Sequence, residues 1–188
     1  MGSFIKESWL MILVSVCSGL AVAGVYSMER PRIQANAEQY LTRSVLAVVP
    51  GGAKVLPANI DGIPGVYKVL DASDSFVGWA LKAKGPGFQG IIDVVVGLDP
   101  KAQHITGMTV VEQSETPGLG ANIAEHSWQS QFSNKSLVEP LEVVKTAPSK
   151  PHHIHAVTAA TISSKAVVTI VNDTVAKVKD RLAREAGI

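Results

Sequence analysis

The chain has 188 residues and a mass of 19.8 kDa, enough for one domain with an appendage. Apolar residues make up 46% and charged residues 18%, which excludes global disorder. Lys and Arg number 17 against 16 Asp and Glu, so there is no electrostatic footprint for nucleic acid. One cysteine excludes an intrachain disulfide framework and any cysteine-built zinc or iron–sulfur centre.

Trp9 to Tyr26 is a run of 18 uncharged residues. As a helix it is about 27 Å long, close to the hydrocarbon thickness of a bilayer. Aromatic residues stand at both of its ends, where rings favour the headgroup level. Residues 1–28 are therefore expected to be a single-pass membrane anchor. A cleaved leader is the competing expectation, with Lys6 as its basic region and Ala21-Val22-Ala23 as a cleavage site. The apolar run continues past Ala23, which favours the anchor. Cys17, mid-span after Val16, is expected to be a packing residue. Lys6 and the amino terminus nearly balance Arg30 and Arg32, so flanking charge does not set the orientation.

Beyond the anchor, Ile33 to Val49 is predicted to be a helix, with Tyr40, Leu41, Val45 and Leu46 on one side and Pro50-Gly51-Gly52 as its stop. It lies in a helical connector over 29–60, ahead of a domain over 61–188. Strands are predicted at Val66–Leu70 and Phe76–Lys82, joined by a turn over Asp71–Ser75. Lys84-Gly85-Pro86-Gly87 is expected to break the second. Ile91–Leu98 is a β-branched run, Asp99-Pro100 turns it, and His104–Glu112 returns as another strand. Gly85, Gly87 and Gly90 match neither phosphate-loop spacing, and their expected role is turn formation. A short helix is predicted over Ala124–Phe132, a strand over Leu141–Lys145, and a long helix over Thr161–Ala186. In the last, Val167, Val171, Val175, Val178 and Leu182 recur at helical spacing. The order implies an α+β fold: an N-terminal transmembrane helix, then a mostly antiparallel sheet packed with helices.

The start of the last helix reads Thr158-Ala159-Ala160-Thr161-Ile162-Ser163-Ser164. Four hydroxyl residues exceed what N-capping requires, and free N–H groups at a positive helix end bind phosphate. Capping and phosphate binding both remain open on these residues alone. His152, His153 and His155 lie within four residues but have no cysteine beside them and no carboxylate close in sequence. They are expected to be exposed linker residues, and no metal site is expected. His104 and His126 are isolated. No Ser-His-Asp arrangement with a nucleophile elbow is present.

Thr158 to Val167 resembles the flavinylation motif, [S/T]-G-A-T-x-[S/T]-S, of the FMN-binding domain family. That family includes the G subunit of the Rnf complex and the C subunit of the sodium-pumping NADH:quinone reductase. Glu115-Thr116-Pro117-Gly118-Leu119-Gly120 resembles the family's E-T-P-G-L-G loop, and Gly85 to Ile91 is a weaker match to its glycine-rich strand entry. The resemblance implies FMN joined by a phosphodiester to Thr161. Thr158, Ile162, Ser163, Ser164, Glu115, Thr116, Gly118, Leu119 and Gly120 are then its surroundings. In that picture Gly118 and Gly120 let the backbone approach the flavin, Leu119 packs on its ring, and Glu115 or Thr116 bonds its polar edge.

Two positions depart from the family pattern. Ala159 replaces a glycine, and His155 replaces an acidic residue six positions before the acceptor. The second bears on how efficiently the chain is modified. The resemblance further implies an electron-relay subunit of an Rnf-type ferredoxin–NAD ion-translocating complex in the inner membrane, its soluble domain on the extracytoplasmic side. Its partners are the other membrane subunits, a flavin transferase for maturation and membrane lipid. No residue of the chain is expected to be catalytic by itself. The alternatives are the C subunit of the quinone reductase, favoured less because that subunit is usually longer, and a flavin-free anchored binding module.

Overall fold

The computed structural model describes residues 2–60 and 62–185. Asp61, expected to open the soluble domain, and Ala186, expected to end the last helix, lie outside the described residues. The chain divides into two compact units, Met1–Tyr40 and Leu41–Ile188.

The first unit is helical. Helix α1, Gly2–Val48, is a single helix of 47 residues that includes Pro31. The helix expected over residues 33–49 is present as the C-terminal part of α1, continuous with the apolar run that precedes it. Leu10, Met11, Leu20, Val22, Val25 and Met28 are all more than half exposed. A helix apolar on all sides and unburied by its own protein has the length and composition to cross a membrane.

The second unit is built on a six-stranded antiparallel meander: β1 (Lys54–Ile60), β2 (Ile63–Leu70), β3 (Phe76–Pro86), β4 (Ile91–Leu98), β5 (His104–Glu112) and β6 (Lys135–Ser136). The strands lie in chain order, each paired with its sequence neighbour. Strand β1 occupies the stretch expected to close the helical connector. It carries Pro57, which the sheet tolerates because β1 is an edge strand. Strand β3 runs through Lys84 and Gly85 to Pro86, four residues past its expected end.

Both faces of the sheet are covered. On one, Val45, Val48 and Val49 at the end of α1 pack with Val69, Ala80 and Val95. Leu41 and Leu46 join this cluster, while Tyr40 stays exposed. The cross-strand pair Gly97 and Gly107 leaves room for the helix end. A Cβ on Gly97 would collide with the Val48 carbonyl oxygen, and that same oxygen accepts a 2.6 Å hydrogen bond from Thr106 Oγ1.

The other face carries the larger core, in which Trp79, Leu81, Ile92, Val94, Val96 and Ile105 meet helix α3 (Thr161–Glu185). All five of its predicted apolar positions, from Val167 to Leu182, are buried. Between the sheet and α3 the chain forms a 3₁₀ turn at Gly120–Ala124, the one-turn helix α2 (His126–Gln129) and a second 3₁₀ turn at Ser130–Phe132. The longer helix expected over Ala124–Phe132 is divided in this way, yet Trp128 and Phe132 still meet edge to face, 5.3 Å apart. A two-stranded parallel sheet, β7 (Glu142–Val144) with β8 (His153–His155), lies against α3. Asn172 clamps it in place, exchanging two hydrogen bonds with the Leu141 backbone at 3.0 and 2.9 Å.

Candidate functional site

Strand β8 delivers the chain to the first turn of α3 through residues 156–160. Ser164 fixes that approach. Its hydroxyl accepts a hydrogen bond from the Val157 N–H and donates one to the Ala160 carbonyl, both 2.9 Å. Ala159 sits at φ +62°, in the left-handed region. Ala160 immediately precedes the helix and has no side-chain oxygen with which to cap it. Among the described residues, the N–H groups of Thr161, Ile162 and Ser163 find no protein acceptor, and neither does the Thr161 hydroxyl. Capping is therefore not what the four hydroxyls do. Ser163 and Ser164 are buried and bonded inward, while Thr158 is exposed and Thr161 half-buried.

These groups open on a cavity of about 270 Å³ lined by Phe88, Glu115, Thr116, Leu119, Gly120 and residues 159–163. The structure thus brings Thr161, Ile162 and Ser163 together with Glu115, Thr116, Leu119 and Gly120, some 40 residues away in sequence. Thr158, Ser164 and Gly118 flank the cavity without lining it.

Glu115 organises the wall. The residue is 4% exposed. Oε1 accepts the N–H groups of Phe88 and Gln89 at 2.8 and 3.0 Å, and Oε2 accepts the Ser163 hydroxyl at 2.6 Å. Burial pushes its pKa up. The hydrogen bonds from Ser163, Gln89, Phe88 and Gly90 outweigh that and hold the carboxyl below its ordinary 4.5. Both oxygens are committed within the protein, so Glu115 shapes the cavity rather than reaching into it. The glycine-rich hairpin between β3 and β4, closed by a 2.7 Å bond from Gly87 N–H to Gly90 O, does cradle an anion, and that anion is this side chain.

The glycines divide by role. A Cβ on Gly120 would lie 2.8 Å from both Glu115 Oε2 and Ser163 Oγ, and one on Gly87 would strike Glu115 Oε1. Gly118 has open space around it, and its requirement is conformational, at φ +74°. Phe88, which sequence reasoning missed, is 62% exposed at the cavity rim beside Leu119 and Ile162, at 45% and 59%. Its signal was its place inside the glycine hairpin.

The sequence profile of the FMN-binding domain family matches residues 87–176. The G subunit of the ion-translocating oxidoreductase complex of Methanosarcina acetivorans is 30% identical over 173 residues, which cover 88% of this chain and 89% of that one. This chain belongs to the FMN-binding domain family. Another relative is the G subunit of the proton-translocating ferredoxin:NAD(+) oxidoreductase complex of Clostridium ljungdahlii, 30% identical over 86% of this chain and 84% of its own. Among solved structures, NqrC of Shewanella oneidensis superposes with a TM-score of 0.58 over 77% of this chain and 73% of its own. At 21% identity that likeness establishes the shared fold. The family match spans all the cavity-lining residues, from Phe88 to Ser163.

Two of the three clustered histidines depart from expectation. His155 is exposed, as expected. His152 and His153 are not exposed linker residues: His153 opens β8, which pairs with β7, and His152 lies in the turn just ahead of it, and their side chains are 9% and 14% exposed. Carboxylates distant in sequence also reach them. Glu139 Oε2 lies 2.6 Å from His152 Nδ1, and Glu142 Oε2 lies 3.7 Å from His153 Nε2.

Proposed function

We propose that this chain is the membrane-anchored electron-transfer subunit of an Rnf-type ion-translocating oxidoreductase complex, carrying FMN on Thr161 through a phosphodiester bond. The supporting observation is the first turn of α3: an unpartnered Thr161 hydroxyl beside three unpartnered N–H groups, all opening on one cavity. A phosphate there would meet fixed donors and the positive end of a helix of 25 residues. Thr161 would hold the group, with Ile162 and Ser163 offering backbone N–H donors and Leu119, Phe88 and Ile162 an apolar rim for a planar ring. At about 270 Å³, just under the ~300–1,000 Å³ of small-molecule pockets, the cavity suits part of a flavin nucleotide, with the rest at the surface. Bound FMN supplies one- and two-electron redox chemistry. The protein contributes position: the tether replaces dissociation with a fixed high local concentration.

The Rnf assignment is supported by the two relatives from ion-translocating complexes, matched over 84% and 89% of their own length. Helix α1 anchors the chain with its soluble domain on the extracytoplasmic side. Co-expression with a flavin transferase is expected to give a denatured band that fluoresces under ultraviolet light and a Thr161-containing peptide heavier by one FMN residue. Thr161→Val is expected to abolish both. A dark band, or fluorescence that survives the substitution, overturns the reading. Co-purification of partner subunits separates an Rnf-type complex from the quinone reductase.

A further inference from the structure

We propose that Glu142, His152 and His153 form a binding site for a divalent first-row transition metal, with Zn²⁺ the best match, and that Glu139 orients His152 within it. The site is separate from the flavin cavity and does not depend on the flavin assignment. Its framework is the backbone. Glu142 stands opposite His153 in the parallel β7–β8 register, and the Glu142 N–H donates to the His152 carbonyl at 3.0 Å. Residues ten and eleven apart in the chain are thereby fixed side by side, and their ligand atoms all lie within 4.8 Å of one another.

The distances favour a bridged ion over simple pairing. Glu142 Oε2 is 4.0 Å from His152 Nε2 and 3.7 Å from His153 Nε2, too long for hydrogen bonds to either. Two donors on one tetrahedral zinc, each bonded at about 2.0–2.2 Å, stand roughly 3.4 Å apart. Closing the cluster onto an ion takes side-chain adjustments of under about 1 Å, with water as the fourth ligand. Metal-bound imidazoles commonly give their other ring N–H to a carboxylate or another acceptor. Here Glu139 stands at 2.6 Å from His152 Nδ1, which favours the proton there and leaves Nε2 its lone pair. On the second ring, the Ser149 N–H donates to His153 Nδ1 at 3.4 Å and Ser149 Oγ lies 3.5 Å from the same atom; coordination through Nε2 moves the ring proton to Nδ1 and exchanges that N–H contact for a hydrogen bond accepted by the hydroxyl oxygen. Two imidazoles and one carboxylate suit zinc and its neighbours, not Mg²⁺ or Ca²⁺, which prefer all-oxygen shells. The neighbouring cation, Lys135, is bonded to the carbonyls of Pro151 and His153, and among the described residues no ion pair joins it to either glutamate.

The test is equilibrium dialysis of the detergent-solubilised full chain against buffered Zn²⁺, with bound metal measured by mass spectrometry. One zinc per chain is expected, retained against millimolar Mg²⁺ and Ca²⁺. Glu139→Gln should weaken binding by about 10–100-fold. His152→Asn, His153→Asn and Glu142→Gln should each weaken it more. Glu142 has a 64% exposed side chain, so its variant remains informative if a histidine variant fails to fold. Absence of stoichiometric zinc on the parent chain, or zinc retained unchanged by Glu142→Gln, overturns the proposal.

Discussion

Ala159 is an L-residue at φ +62°, two positions ahead of Thr161. The left-handed region costs an L-residue about 1–2 kcal/mol, and glycine gives back roughly 0.5–1 kcal/mol in unfolded-state entropy. Ala159→Gly should therefore stabilise the chain by about 0.5–1 kcal/mol, read as a raised urea midpoint. Ala159 is exposed, so the substitution leaves no cavity. Glu115 makes a second prediction at this scale. Its folded pKa lies below the ordinary 4.5, so the folded state binds this proton less readily than the unfolded one. Its stabilisation is complete above 4.5 and is lost as pH falls through the lowered value. Glu115→Gln should flatten that acid limb and cost about 1–3 kcal/mol at neutral pH, because an amide offers a single acceptor oxygen. Acid titration of unfolding, wild type against variant, measures both.

At the scale of elements, what the sequence made legible follows from where the information is local. Ile91–Leu98 and His104–Glu112 emerge at their predicted bounds because a β-branched run and an Asp-Pro turn are neighbours in the chain. Helix α3 was equally readable from its apolar period. Strands β1 and β8 were not: Pro57 reads as a breaker until β1 is known to be an edge, and β8 has three residues whose partner lies eleven positions back. The same limit hid the carboxylates beside His152 and His153. At the site, the motif residues were legible, but the inward bonding of Ser163 and Glu115 was not, since it joins segments 48 residues apart. The seat of α1 gives this scale its prediction. Gly97→Ala places a methyl against the Val48 backbone oxygen and should destabilise the second unit by about 1–3 kcal/mol, seen as a lower denaturation midpoint.

For the whole molecule, the testable matter is sidedness. Cys17 is the sole cysteine and lies within the apolar run. In a Cys17→Ala background, Ser73→Cys puts a thiol on the exposed β2–β3 turn. A membrane-impermeant maleimide applied to intact spheroplasts should label it fully. Labelling that requires lysis places the domain on the other side of the membrane. The meander also carries a consequence for biosynthesis. Since each strand pairs with the one that emerges just before it, the sheet can zip together as the chain arrives on its own side of the membrane, while its larger apolar face stays bare until the final 25-residue helix arrives. The Thr161 hydroxyl rides on that last-made segment, so the proposed attachment point takes shape at the moment the domain seals itself from water.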